Sequence, residues 1–140
     1  MANYPEFMVA PIRQDLVNVG FEQLLTPDEV DKTIRNTKGT VLMCVNSVCG
    51  CAAGKARPAL KLAIQHAKKP TKLVTVFAGM EQDATAKARE FMTPYPPSSP
   101  SIALFKEGKL VHLIERHQIE SAEVQMIVDN LVGAFDEHCG

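Results

Sequence analysis

The sequence predicts an α/β fold: a three-layer sandwich with a mixed central sheet, helices on both faces, and an extra helix at the N-terminus. Three observations carry this. The run Val41–Val45 is continuously apolar, as strands buried on both faces are, and Leu73–Phe77 reads as a second strand. Helix-like stretches separate the strand-like ones, as parallel crossovers require. Two further strand-like stretches, 101–106 and 109–114, are joined by Glu107-Gly108, which reads as a β-hairpin.

The elements follow in order. Residues 6–19 place Phe7, Val9, Ile12, Leu16 and Val19 on an approximate helical stripe interrupted by Pro11. Residues 21–25 read as a short strand. Thr26-Pro27-Asp28-Glu29 starts a helix: threonine caps, proline suits the first position, and Glu29 completes a capping box. That helix should stop near Gly39. After the strand 41–45 comes the Cys-containing turn 46–51, then an alanine-rich helix over 52–68. The strand 73–77 is closed by Gly79. A helix over 83–92 puts Ala84, Ala88 and Phe91 on one side. Residues 93–100 hold four prolines and must be irregular. After the hairpin, a last helix over 121–135 is capped by Ser121 and buries Val124, Ile127, Val128, Leu131 and Phe135.

A chain of 140 residues that is 46% hydrophobic and 22% charged reads as one domain, 1–140, with a real core. With Lys+Arg at 15 against Asp+Glu at 16, there is no basic excess to neutralise phosphates, so nucleic acid is not an expected partner. No apolar run approaches the ~20 residues that span a bilayer. The first residues carry Glu6, Arg13 and Asp15 and no signal-peptide core. A cytoplasmic protein without a membrane partner is expected. Four cysteines are too few for a disulfide scaffold.

Cys49-Gly50-Cys51 falls between a buried strand and a helix start. Free N–H groups and the positive dipole end there stabilise a thiolate, and the carboxyl ends of parallel strands are where open α/β sheets place their sites. Lys55 and Arg57 follow in the first two turns, where cations oppose the dipole. They read either as solvated charges or as groups that hold a thiolate or attract an anionic substrate. Pro58 cannot bond to Gly54 four residues back, so a kink is expected one turn beyond the cysteines.

The run Asn46-Ser47-Val48-Cys49-Gly50-Cys51-Ala52-Ala53-Gly54-Lys55-Ala56-Arg57-Pro58 resembles the active-site signature of the bacilliredoxins, thioredoxin-fold proteins of bacillithiol-using bacteria. Gly20-Phe21-Glu22, Thr26-Pro27 and the ending Ala134 to Cys139 extend the resemblance over essentially the whole chain. The stretch Pro100 to Lys109 is similar to the thioredoxin segment that opens on a cis-proline. By that match Ser99-Pro100 is a cis bond facing the reactive cysteine. The sequence departs from ordinary thioredoxins, which carry Trp-Cys-x-x-Cys. It has no Trp, and the second thiol has moved to Cys51. Residues two apart on a helix point nearly opposite ways, so a Cys49–Cys51 bridge must leave helical geometry, which Gly50 permits. Such a bridge is expected to be strained and readily reduced.

The resemblance implies a thiol–disulfide oxidoreductase. Cys49 attacks a protein thiol capped by bacillithiol and takes the cap, and Cys51 or a second bacillithiol resolves it. Cys49 is then the modified residue, with Cys51 the second candidate. Gly50, Lys55, Arg57, Ser99 and Pro100 would meet substrate. Bacillithiol would be a co-substrate, with no tightly bound cofactor, and the partners would be S-bacillithiolated or disulfide-bonded client proteins. Disulfide isomerisation or general disulfide reduction is the alternative within thiol chemistry, and a thioredoxin-like binding module is the bland one. A cysteine metal site is the rival class, but His66, His112, His117 and His138 all lie far from the motif, and no second Cys pair exists. A phosphate loop fails, because Gly54-Lys55 is followed by Ala56. Cys44 reads as an inert core thiol. Cys139 reads as a fraying terminal residue, with a redox role as the alternative.

Overall fold

The computed structural model describes residues 4–139. Five strands form one sheet in the order β1-β3-β2-β4-β5. They are β1 (Glu22–Gln23), β2 (Thr40–Asn46), β3 (Lys72–Phe77), β4 (Ser101–Lys106) and β5 (Lys109–Ile114). β3 pairs parallel with both β1 and β2, while β4 pairs antiparallel with β2 and β5.

The continuous apolar run has its explanation in β2, which is buried along its whole length at the centre of the sheet. Successive side chains point to opposite faces. Leu42 and Cys44 enter one core with Ala59, Leu60, Ile127, Leu131 and Phe135. Val41, Met43 and Val45 enter the other with Val30, Ile34, Ala84 and Ala88. The two cores are the two interlayer spaces of the sandwich. α3 (Arg57–Ala63) and α6 (Val124–His138) close the first, and α2 (Pro27–Asn36) and α4 (Gln82–Glu90) the second.

Local signals set most boundaries. At α2, Thr26 Oγ1 accepts the Glu29 N–H at 3.2 Å and Glu29 Oε1 accepts the Thr26 N–H at 3.2 Å, completing the capping box. Gly39 has φ +102°, and a Cβ there would run into the Thr71 hydroxyl. In the hairpin, Glu107 and Gly108 both have positive φ, 51° and 81°, as the tight turn between twisted strands demands.

Several boundaries differ from the sequence reading. β1 is two residues long rather than five, with Glu22 and Gln23 paired to Val74 and Thr75 of β3. α1 (Glu6–Val17) keeps Pro11 inside it. The alanine-rich helix is not one α-helix over 52–68. A helical turn opens at residues 50–51, a π-helical segment spans Ala52–Ala56, and α3 ends at Ala63. Pro58 offers no N–H, and the Arg57 N–H reaches back five residues to the Ala52 carbonyl. The expected interruption is therefore a π turn. A short helix, α5 (Arg116–Glu120), was not foreseen. Ser121 belongs to its end, donating from Oγ to the His117 carbonyl at 2.9 Å, so it does not cap α6, which starts at Val124. Both Thr93–Pro94 and Ser99–Pro100 are cis. No helix of the described residues is long and apolar enough to cross a membrane.

Candidate active site

At the end of β2 the chain turns out of the sheet through a series of side-chain caps. Asn46, fully buried, accepts the Ser47 N–H on Oδ1 at 2.9 Å. Ser47 Oγ accepts the Cys49 N–H at 3.2 Å. The Cys49 carbonyl accepts the N–H groups of Ala52 and Ala53, so Cys49 is the residue from which the helix starts. Its Sγ accepts the Cys51 N–H at 3.4 Å. The sulfur thus takes the place of a capping oxygen, over an N–H group that has no helical partner. A thiolate at this position gains most from the arrangement.

The sulfurs of Cys49 and Cys51 are 2.50 Å apart, near disulfide distance, and their Cα atoms 5.4 Å apart, within the range of a disulfide. Cys49 lies just before the helical turn, whereas Cys51 is already helical with φ −70° and ψ −25°. Gly50 is exposed, and a Cβ there would meet nothing beyond its neighbouring backbone. The two thiols have unlike surroundings. Cys49 lines an open cleft of about 500 Å³ with Val48, Gly79, Ser99 and Arg116. Cys51 packs against the core beneath α3 and α6.

Of the other residues singled out from sequence, Ser99 shares the cleft wall with Cys49, while Pro100 is buried behind it. Lys55 and Arg57 do not act as a pair, and neither lines the cleft. Lys55 Nζ donates to the Glu120 carbonyl at 2.8 Å, tying the π turn to α5. Arg57 is only 6% exposed. Its Nε donates to Asp15 Oδ2 at 3.0 Å, and its Nη1 donates to Asn46 Oδ1 at 2.9 Å and to the Ser47 carbonyl at 3.3 Å. The expectation that Arg57 meets substrate is corrected: the acceptors that draw it inward come from α1, 42 residues away in sequence, and from the end of β2, 11 and 10 residues away. Lys61 Nζ also donates to Asp15. Burial works against the Asp15 carboxylate, but its bonds to Lys61 and Arg57 outweigh that and hold its pKa below the ordinary range.

Arg116 is the cleft residue the sequence reading missed. Its Nη1 donates to the Ser99 carbonyl at 3.2 Å, its Nε stands 3.4 Å from Glu120 Oε1, and its side chain is 44% exposed. The signal was present in Glu115-Arg116-His117-Gln118, where Glu115 and Gln118 form a capping box.

Cys44 is fully buried, and burial pushes its thiol up to about 12, against a smaller opposing pull from Arg57. Cys139 does not fray: it is 8% exposed, and its Sγ lies 3.5 Å from Thr40 Oγ1 at the start of β2. Cys49 follows the other end of that strand, about 20 Å away by the rise of six strand residues, so Cys139 cannot reach it. His66 pairs with Asp136 and His112 with Asn130, away from the motif. Among the described residues no three His, Cys, Asp or Glu side chains are grouped to hold a metal.

A sheet of this topology with a half-buried Cys pair at the head of a helix defines a thiol–disulfide oxidoreductase of thioredoxin fold. Solved structures agree on the fold. The Malassezia sympodialis thioredoxin matches with TM-score 0.60 at 14% identity, over 85% of this chain and 90% of its own. The oxidised thioredoxin of Plasmodium falciparum matches with TM-score 0.56 at 15% identity, over 81% and 99%. A family model described as disulphide isomerase matches residues 4–139. Proteins named bacilliredoxin match at high identity: 54% in Bacillus cereus, over 97% of this chain and 95% of the relative, and 52% in Halalkalibacterium halodurans, over 98% and 95%. The chain belongs to the bacilliredoxin family.

Proposed function

We propose that the protein removes bacillithiol from S-bacillithiolated protein cysteines. The carrying observation is the unequal setting of the two thiols: Cys49 stands on an open cleft with its sulfur over a free helical N–H, and Cys51 is turned to the core. The Cys49 thiolate attacks the bacillithiol sulfur of the mixed disulfide. A new S–S bond forms between Cys49 and bacillithiol, the old one breaks, and the client leaves as a thiolate that takes up a proton. In the second step the deprotonated Cys51 attacks Cys49 Sγ, giving the Cys49–Cys51 disulfide and free bacillithiol. The alternative second step is attack by another bacillithiol thiolate on the sulfur of the bacillithiol held by Cys49, which gives oxidised bacillithiol and releases Cys49 as a thiolate. Neither route needs a resident metal or cofactor. Bacillithiol carries malate carboxylates, and Arg116, the cation on the cleft wall, would receive them, in the role the sequence suggested for Lys55 and Arg57.

The description of the family model favours one second reading, isomerisation or general reduction of protein disulfides by the same cysteines. Turnover of one client protein, capped either by bacillithiol or by glutathione, separates the two. Preference for the bacillithiol cap by about tenfold or more in kcat/KM supports the proposal. Equal rates on both caps and on an ordinary protein disulfide would overturn it in favour of the second reading.

A further inference from the structure

Arg57 is nearly inaccessible and does not line the cleft, yet its guanidinium meets three acceptors from two other elements. Asp15 of α1 takes Nε, while Asn46 and the Ser47 carbonyl at the end of β2 share Nη1. From those two residues the bonds continue into the site. Asn46 Oδ1 also accepts the Ser47 N–H, and Ser47 Oγ accepts the N–H of Cys49 itself. Asn46 Nδ2 donates to the Ile12 carbonyl, a second tie to α1. The backbone that presents Cys49 is thus clamped from behind by one planar fork, which α1 holds in turn.

We propose that Arg57 is a positioning residue for Cys49: its fork fixes the 46–49 turn, and so the sulfur, over the Cys51 N–H that donates to it. The inference rests on Cys49 being the attacking thiol, but it concerns the aim of that sulfur and not the identity of the cap. Burying a guanidinium is costly unless every bond is made. A purely structural role would be served as well by apolar packing. Planarity is what lets a single side chain meet Asp15 on one edge and the Asn46–Ser47 pair on the other. Lysine offers a point charge with no fork.

The test uses the full-length reduced protein and its Arg57→Met and Arg57→Lys variants. Each is pulsed with limiting iodoacetamide at fixed pH, and labelling is mapped by mass spectrometry at Cys49, Cys51 and Cys44. Because small misplacements of a reacting group cost tenfold to a hundredfold in rate, Arg57→Met is expected to slow Cys49 labelling about tenfold. Arg57→Lys should slow it about threefold, and Cys51 should change less than about twofold in both. The KM for a capped client should stay put, since Arg57 does not touch the cleft. A Cys49 rate equal to wild type in either folded variant overturns the proposal. So does a loss accompanied by labelling of buried Cys44, which would report a loosened core. Should the methionine variant fail to fold, the lysine variant decides alone. Each Cys49 rate is compared with wild type, so a faster Cys51 would sink the role assignment above and leave this comparison standing.

Discussion

Asp15→Asn separates the ion pair behind the site from the apolar packing around it. The carboxylate accepts from Arg57 at 3.0 Å and from Lys61. The Arg57 side chain is 8% exposed and Asp15 33%, so their charged hydrogen bond counts in the lower part of the range for such bonds, about 2 kcal/mol. Lys61 is 37% exposed, and water screens its share to about 0.5 kcal/mol. Asparagine keeps one oxygen for Arg57, so the net loss is about 2 kcal/mol. A chain of 140 residues unfolds with an entropy of about 0.3 kcal/mol/K, and the melting temperature should fall about 7 °C. The pH dependence is a second check. Asp15 titrates below its ordinary value when folded, because the bonds from Lys61 and Arg57 outweigh the opposing effect of burial. Between the folded and unfolded values the unfolded chain binds the extra proton, so stability rises with pH there. The contribution is therefore full above about pH 5 and is lost as pH falls through the folded value, below about pH 4. Denaturant titrations of wild type and variant from pH 7 to pH 3 should show a gap that narrows only at the acid end. A gap under about 0.5 kcal/mol at pH 7, or one unchanged down to pH 3, would refute the reasoning.

Three other outcomes follow from the site. Cys51→Ser should complete the first transfer and retain bacillithiol on Cys49, whereas Cys49→Ser should take up none; intact-mass spectra after one exposure to a capped client read both, and the opposite pattern reverses the two roles. Cys44, with its thiol pushed up to about 12, holds fewer than about one thiolate in ten thousand molecules at neutral pH, so it should resist alkylation in the native protein and label only in denaturant; labelling at a rate near that of Cys49 would contradict its burial. Arg116→Ala should raise KM about fivefold, or by about 1 kcal/mol in binding, for a client capped by bacillithiol, and leave KM unchanged for one capped by cysteamine, which has no carboxylate. An equal effect on both caps would place Arg116 in holding the Ser99 carbonyl instead.

What could be read in advance was whatever neighbouring residues decide. The run 41–45 announced a central strand because both faces of β2 are buried, so no polar residue interrupts it. The box Thr26-to-Glu29 announced α2 because both of its bonds lie within three residues. Cys49-Gly50-Cys51 was legible for the same reason, since the strand end, the turn and the helix start are contiguous. The cis bond at Ser99–Pro100 was implied by resemblance to the thioredoxin segment and by nothing in the local chemistry; the second, at Thr93–Pro94, carried no such match. Arg57 and Arg116 were misplaced or missed because their acceptors are nonlocal. Asp15 lies 42 residues from Arg57 in sequence, and Ser99 lies 17 from Arg116.

The same distinction bears on how the site works. Pairing of Cys49 with Cys51 is a local matter, set by where the helix begins. Aim is not local: it depends on Arg57, which depends on Asp15 in a helix that contributes no strand or wall to the cleft. Asp15→Asn and Arg57→Met should accordingly weaken the same property, the rate at which Cys49 reacts, although only one of these residues touches the turn. Because they share one bond, their effects should fall short of additive in a double variant. Additive losses would mean that α1 and Arg57 support the fold separately, and that the bonds joining them carry no information to Cys49.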